Sequence, residues 1–164
     1  MGASSAATKK VFGLLTTPEA GLPYTLGAMA EQQQTPAIMI GAGQIVTQNV
    51  ASEVAEKTAG VKYPMVYVYC EGLTNSLKEK FRTFSGQAHM AVEARISHEH
   101  MERLAGDLQL FASAATEVLD KSRGDWGEGM FYTGGYKVEF GAVKRGGKNF
   151  IQTVKIAFDV EVSY

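Results

Sequence analysis

The feature that most constrains this chain is a change of hydrophobic period just before residue 100. Over residues 87–97, Ala88, Met90, Val92, Ala94 and Ile96 fall on one side, with Gln87, His89, Glu93, Arg95 and Ser97 on the other. A period of two is a strand with one covered face and one wet or interface-facing face. From Met101 the apolar positions recur every three or four residues, through Leu104, Leu108, Phe111, Ala115 and Val118. That spacing predicts a helix of about six turns with a single apolar stripe. Ser97 is its expected N-cap, Glu99 and Glu102 suit the positive end of its dipole, and Lys121 and Arg123 suit the negative end before Gly124.

The segments on either side supply more strands. Residues 63–70, YPMVYVYC, are β-branched and aromatic throughout, which fits a strand covered on both faces with Pro64 tolerated near its start. A polar loop over 71–80 is expected to follow. After the helix, Met130, Tyr132, Tyr136, Val138 and Phe140 share one face, opposite Lys137 and Glu139. The run KRGGKN at 144–149 carries two glycines able to take positive φ and predicts a hairpin. The last segment sets Phe150, Val154, Ile156, Phe158, Val160 and Val162 against Thr153, Lys155, Asp159, Glu161 and Ser163. At roughly 3.3 Å per residue it would run about 50 Å, so it is expected either to bend or to reach beyond its own subunit.

From residue 61 the order is therefore strand, strand, helix, strand, strand. The expected fold class is α+β, a mainly antiparallel sheet with one long helix packed on it. The first 60 residues are less patterned. Short helices are expected over 8–15 and 24–33, separated by Pro18 and Gly21, and another over 47–58. A chain of 164 residues is long enough for one domain with an ordinary core, its sheet-and-helix part spanning 61–164.

Bulk properties exclude several classes. A formal net charge of -1 gives no general basic surface for binding nucleic acid. No apolar run approaches the roughly 20 residues that span a bilayer, and neither a signal peptide nor a myristoylation pattern opens the chain, so a soluble protein is expected. Cys70, the one cysteine, has no disulfide partner and lies in an apolar run, which predicts a buried reduced thiol and assembly in a reducing cytosol.

No catalytic set emerges. Gly41-Ala42-Gly43 resembles the start of a dinucleotide loop, but Val46 occupies the third glycine position and Lys62, Tyr63 and Pro64 stand where an acidic ribose ligand is wanted. It is expected to be a glycine-loosened strand or loop. His98-Glu99-His100 spaces its histidines by two, where a zinc-binding helix needs four. His89 lies on a polar strand face, and Ser85, Ser97 and Ser113 lack elbow glycines. Trp126, in SRGDWGEGM, has two readings: a core cap where helix turns into sheet, which is preferred, or a binding anchor. Tyr63, Tyr67 and Tyr69 are read as sheet packing, since a base-stacking platform would need a basic groove. No metal, cofactor or enzymatic activity is expected.

The run YPMVYVYCEGL, the alternating GQAHMAVEARIS, the helix HMERLAGDLQLFASAATEVL and the closing NFIQTVKIAFDVEVSY resemble, in pattern and element order, the tail terminator proteins of long-tailed bacteriophages. The resemblance covers roughly residues 60–164. It implies a structural virion protein without catalysis: a homo-oligomeric ring, expected to be a hexamer, that caps the tail tube and meets neck or head-completion proteins. It would be assembled in the host cytoplasm and located in the tail or neck. DNA would pass its lumen without sequence-specific binding, so acidic residues among Glu93, Glu139, Asp159 and Glu161 would be expected to face that lumen. Tail-tube and neck subunits share much of this plan and remain the alternative, and a small ligand-binding or enzymatic domain using the Gly41–Gly43 loop is a reading of another class. Candidate contact loops are 72–80, 123–129 and 144–149, with Lys78, Lys80, Arg123, Trp126, Lys144, Arg145 and Lys148 as interface residues. The first 60 residues leave room for an arm or a subunit contact.

Overall fold

The computed structural model describes residues 2–41, 43–50 and 62–164. In chain order its elements are α1 (Ala3–Thr16), α2 (Leu22–Gln33), β1 (Ile45–Val46), β2 (Met65–Asn75), β3 (Ser85–His98) and α3 (Met101–Lys121). They continue with β4 (Gly124–Gly127), β5 (Met130–Tyr132), β6 (Lys137–Phe140), β7 (Lys144–Gly146) and β8 (Asn149–Ser163). The class is α+β, as the sequence patterns predict.

The longest alternating segment forms the middle of the sheet. β8 pairs antiparallel with β3 from Ser85↔Ser163 to His98↔Phe150. Its other edge is taken in turn by β7, β6 and β5. Among the described residues the sheet order is β1-β2-β3-β8-β5-β4, with β6 and β7 also on β8 and β1 the parallel edge. Both edges of β8 are thus occupied within the chain. The expectation that this strand reaches beyond its own subunit is corrected: its length serves three short neighbours.

Four other boundaries differ from expectation, each for a local reason. β2 runs on to Asn75, so the polar loop is 76–84, not 71–80, and it is carried further by pairing with β3 through a bulge between Cys70 and Gly72. β3 runs to His98 because Ser97 and His98 are held in the ladder with β8, so His100, not Ser97, is the N-cap of α3, without a side-chain hydrogen bond. Residues 130–140 form two strands, because Gly134 and Gly135 take φ of 95° and 89° and turn the chain between them. Tyr136 and Phe140 are consequently exposed while Met130 and Tyr132 are buried. At the predicted hairpin Gly147 alone takes positive φ, at 70°, and Gly146 pairs with Asn149.

One face of the sheet is roofed by helices. Val66, Val68, Met90, Val92, Ala94, Val154, Ile156, Phe158 and Val160 meet Leu104, Leu108, Phe111, Ala115 and Val118 of α3 in one apolar core. Met101 lies off this stripe and is exposed. Fully burying a Leu or Phe is worth about 1.5–3 kcal/mol, so Leu104, Leu108 and Phe111 alone anchor the helix firmly. The amino-terminal helices belong to the same core. Ala3, Ala7, Val11 and Leu15 line one face of α1, and Leu22, Leu26 and Ala30 line one face of α2. These helices are layers of the core and not an arm. The helix expected over 47–58 falls mostly outside the described residues, and 47–50 are not helical.

Candidate functional site

The polar chemistry gathers on the sheet face turned away from the helices. Cross-strand partners share a face, so the pairing registers sort its side chains into rows. Tyr67, Glu93, Lys155 and Glu139 form one row, His89 and Asp159 a second, and Gln87, Glu161 and Phe131 a third. All four acidic residues considered for a lumen therefore lie on this face. Glu71, at the β2 bulge, also turns to it and binds the Lys155 ammonium.

Most of these charges are neutralised locally. Lys137 Nζ meets Glu139 Oε1 at 2.6 Å, and that hydrogen bond raises the lysine pKa and lowers the glutamate's. His89 bridges two strands: Nδ1 lies 2.6 Å from Asp159 Oδ1 and Nε2 lies 2.7 Å from Thr74 Oγ1. If Nδ1–H is donated to the carboxylate, the other ring nitrogen can accept the threonine hydroxyl proton. Tyr69 donates to Glu93 Oε2 at 3.1 Å. Burial, followed by the Glu93 carboxylate, raises the Tyr69 pKa well above the ordinary tyrosine value.

One cation on this face is buried. Arg95 is 4% exposed, with its guanidinium carbon 4.4 Å from the centre of the Tyr67 ring. Its Nη2 donates to the Val50 carbonyl and lies 3.7 Å from Glu93 Oε2. Its Nε and Nη1 have no hydrogen-bond partner among the described residues. The sequence pattern put Arg95 on the polar face of its strand, where it belongs, but gave no sign that Val46, Val50 and Met65 would pack beside Tyr67 and Tyr69 and cover this end of the face.

A second concentration of unusual features is the loop 76–84. Phe81 at its tip is wholly exposed, and Leu77 is exposed beside it. Both take positive φ, 46° at Leu77 and 64° at Phe81, which is uncommon for bulky side chains. The base of the loop is tied down on both sides. Asn75 Oδ1 accepts from the backbone N–H groups of Leu77 and Ser85, Ser85 Oγ accepts from Glu79 N–H, and the Tyr164 carbonyl accepts from Thr83 and Phe84. Phe84 stacks on Tyr164 with ring centroids 5.7 Å apart. Lys78, Lys80 and Arg82 flank Phe81 in the sequence, and Arg82 Nε lies 3.4 Å from Glu79 Oε2.

The sequence-predicted interface residues are scattered over the molecule. Lys78 and Lys80 lie in this loop, while Phe81 falls just past the predicted 72–80 boundary. The pattern that could have found it is a Phe set between Lys80 and Arg82 in a polar run. Arg123 is exposed and pairs with Asp120 at 3.4 Å. Trp126 is buried, so the core-cap reading holds and the exposed-anchor reading does not. Lys144 and Arg145 are in β7 and Lys148 is in the turn after it; the Arg145 guanidinium lies 5.6 Å from the Phe150 ring centre.

The remaining motifs have structural positions of their own. The Gly41 N–H donates to Gln44 Oε1 at 2.6 Å and the segment leads into β1, whereas a dinucleotide loop follows a strand and opens a helix. The His98 Nδ1 accepts from the His100 backbone N–H at 2.9 Å. Among the described residues no group of three His, Cys, Asp or Glu converges as a metal site. Cys70 is half-buried, less covered than expected, with Sγ 3.2 Å from the Gly72 carbonyl oxygen. No described helix is long and apolar enough to cross a membrane.

No protein-family model matches the chain, and no curated protein matches its sequence.

Proposed function

We propose that the chain is a structural assembly subunit, a ring-forming virion protein of the tail terminator kind that caps a tail tube and joins it to the neck. The observation that carries an assembly role is Phe81: a whole aromatic ring held in solvent by a loop with a fixed base and strained backbone. Large aromatic side chains, Phe among them, are enriched at protein interfaces relative to the rest of the surface. Holding Phe81 and Leu77 at positive φ costs of order 1–3 kcal/mol each, a cost without return in an isolated monomer.

Two further observations fit this reading. The segments that resemble tail terminators become β2, β3, α3 and β8, which adjoin one another as three neighbouring strands and the helix above them. Glu93, Glu139, Asp159 and Glu161, the acidic residues considered for a lumen, share the sheet face away from the helices.

Negative-stain electron microscopy with native mass measurement tests the proposal. Closed six-fold rings support it, extended tubes would reassign the chain as a tube subunit, and a protein that remains monomeric both alone and with tail tubes would overturn it.

A further inference from the structure

The covered end of the polar sheet face holds an unsatisfied cation beside a small cleft. Arg95 lies between Met65 of β2 and Thr153 of β8 in the pairing registers. The guanidinium presents five N–H donors, and three of them, one on Nε and two on Nη1, are buried without an acceptor among the described residues. Leaving such donors of a charged group unmet is among the most expensive arrangements in a protein interior. A cleft bordered by Arg95, Tyr63, Lys144, Gln152, Thr153 and Ile151 adjoins this side chain.

Size and charge narrow what the cleft can hold. The cleft is small, with room for one small group beside the guanidinium. Arg95 and Lys144 bring two positive charges, and Glu93, 3.7 Å from Nη2 and beyond hydrogen-bond distance, brings one negative charge. The balance favours an anion. Lys144 is exposed on β7, in the position of a cation at the mouth.

We infer that this cleft is a carboxylate-binding site, in which one carboxylate oxygen enters to meet the unpartnered Arg95 donors and the other stays at the mouth near Lys144. With Glu93 beside them the two cations leave a single net positive charge, which matches a carboxylate better than the double charge of phosphate or sulfate, and a carboxylate engages both cations where a halide would engage only the inner one. The carboxylate is either a free small acid or an acidic side chain of a second copy of the chain. The site does not depend on ring formation.

The test follows the Arg95 Nε–H resonance in two-dimensional ¹H–¹⁵N spectra of the full chain, assigned with the Arg95→Lys variant. Titration with sodium formate at constant ionic strength is expected to move this resonance saturably. Lys144→Ala, a change at an exposed position, is expected to weaken the apparent affinity several-fold with the fold unchanged. A resonance that moves on raising protein concentration, in buffer without small anions, would assign the carboxylate to a second copy. A response to formate alone would assign it to a free acid. An equal response to chloride, or no response to formate and none to protein concentration, overturns the proposal.

Discussion

Trp126 and Tyr132 meet across the β4–β5 hairpin, their ring centroids 5.4 Å apart and their planes tilted by 39°. The indole Nε1–H is donated to the Ser122 carbonyl at 2.6 Å, and the Tyr132 ring packs edge-on against Phe158 of β8. This aromatic chain ties the end of α3 to the centre of the sheet. Trp126→Ala is therefore expected to lose about 3–5 kcal/mol of stability, and Trp126→Phe distinctly less, because the ring contact survives without the hydrogen bond. Urea unfolding of the two variants checks the order; an alanine variant as stable as the parent would remove Trp126 from the core.

Phe81→Gly separates assembly from stability. Glycine takes the left-handed backbone at no steric cost, so the variant is expected to melt at the same temperature as the parent or slightly above it. It is also expected to lose the oligomer, because the anchor is gone. Native mass and thermal melting on the same sample decide between this and a merely structural role, for which stability would fall and the assembly state would follow it.

Alanine at Lys144, Arg145 and Lys148 together is expected to weaken particle joining and leave the fold intact. Lys144 and Lys148 are exposed and make no salt bridge to a described residue, while Arg145 contributes only an exposed cation–π contact to Phe150, worth about 0.5–1 kcal/mol. An in vitro head–tail joining assay with normal yield for the triple variant would remove the β7–β8 hairpin from the contact surface.

The alkaline limit of stability is set partly by buried phenols. Burial, followed by the Asp120 carboxylate, pushes Tyr132 up to about 12. Above the ordinary tyrosine value near 10 the unfolded chain releases this proton while the folded chain keeps it, so stability is whole below that value and falls as pH rises towards about 12. Tyr69 acts in the same direction. Tyr132→Phe is expected to flatten this loss, at the cost of the hydrogen bond to the Gly135 carbonyl. Melting temperatures over an alkaline pH series check the slope.

Asp107 of α3 carries a raised pKa, caused by burial and only partly offset by Arg103 and His98. The folded state favours its neutral form, so its contribution is whole below the ordinary aspartate value of about 3.9 and is lost as pH rises through the raised folded value. Asp107→Asn is expected to raise the melting temperature near neutral pH and to leave it unchanged in acid below that value. A lower melting temperature at neutral pH would mean that Asp107 has a favourable ionic role.

Local pattern by itself determined the strand at residues 87–97, the helix after Met101, the alternation after Phe150 and the α+β class, because period two and period 3.6 each commit side chains to a face before any partner is known. It also placed Trp126 as a core cap and Glu93, Asp159 and Glu161 on polar strand faces. Tertiary structure alone decided the rest. β8 is central, not a free reaching strand, because β5, β6 and β7 return to its second edge, and neither edge carries a mark in the sequence. Ser97 lost its capping role because the ladder with β8 claimed its backbone. Arg95 reads as one more polar-face residue, and only the chain crossing near Val50 buries it, with three donors unmet among the described residues. Phe81 reads as an ordinary aromatic, and only the ties of Asn75, Ser85 and Tyr164 hold it out in solvent. Burial and pairing across sequence-distant strands are sums over the whole fold, and a local window contains one side of each.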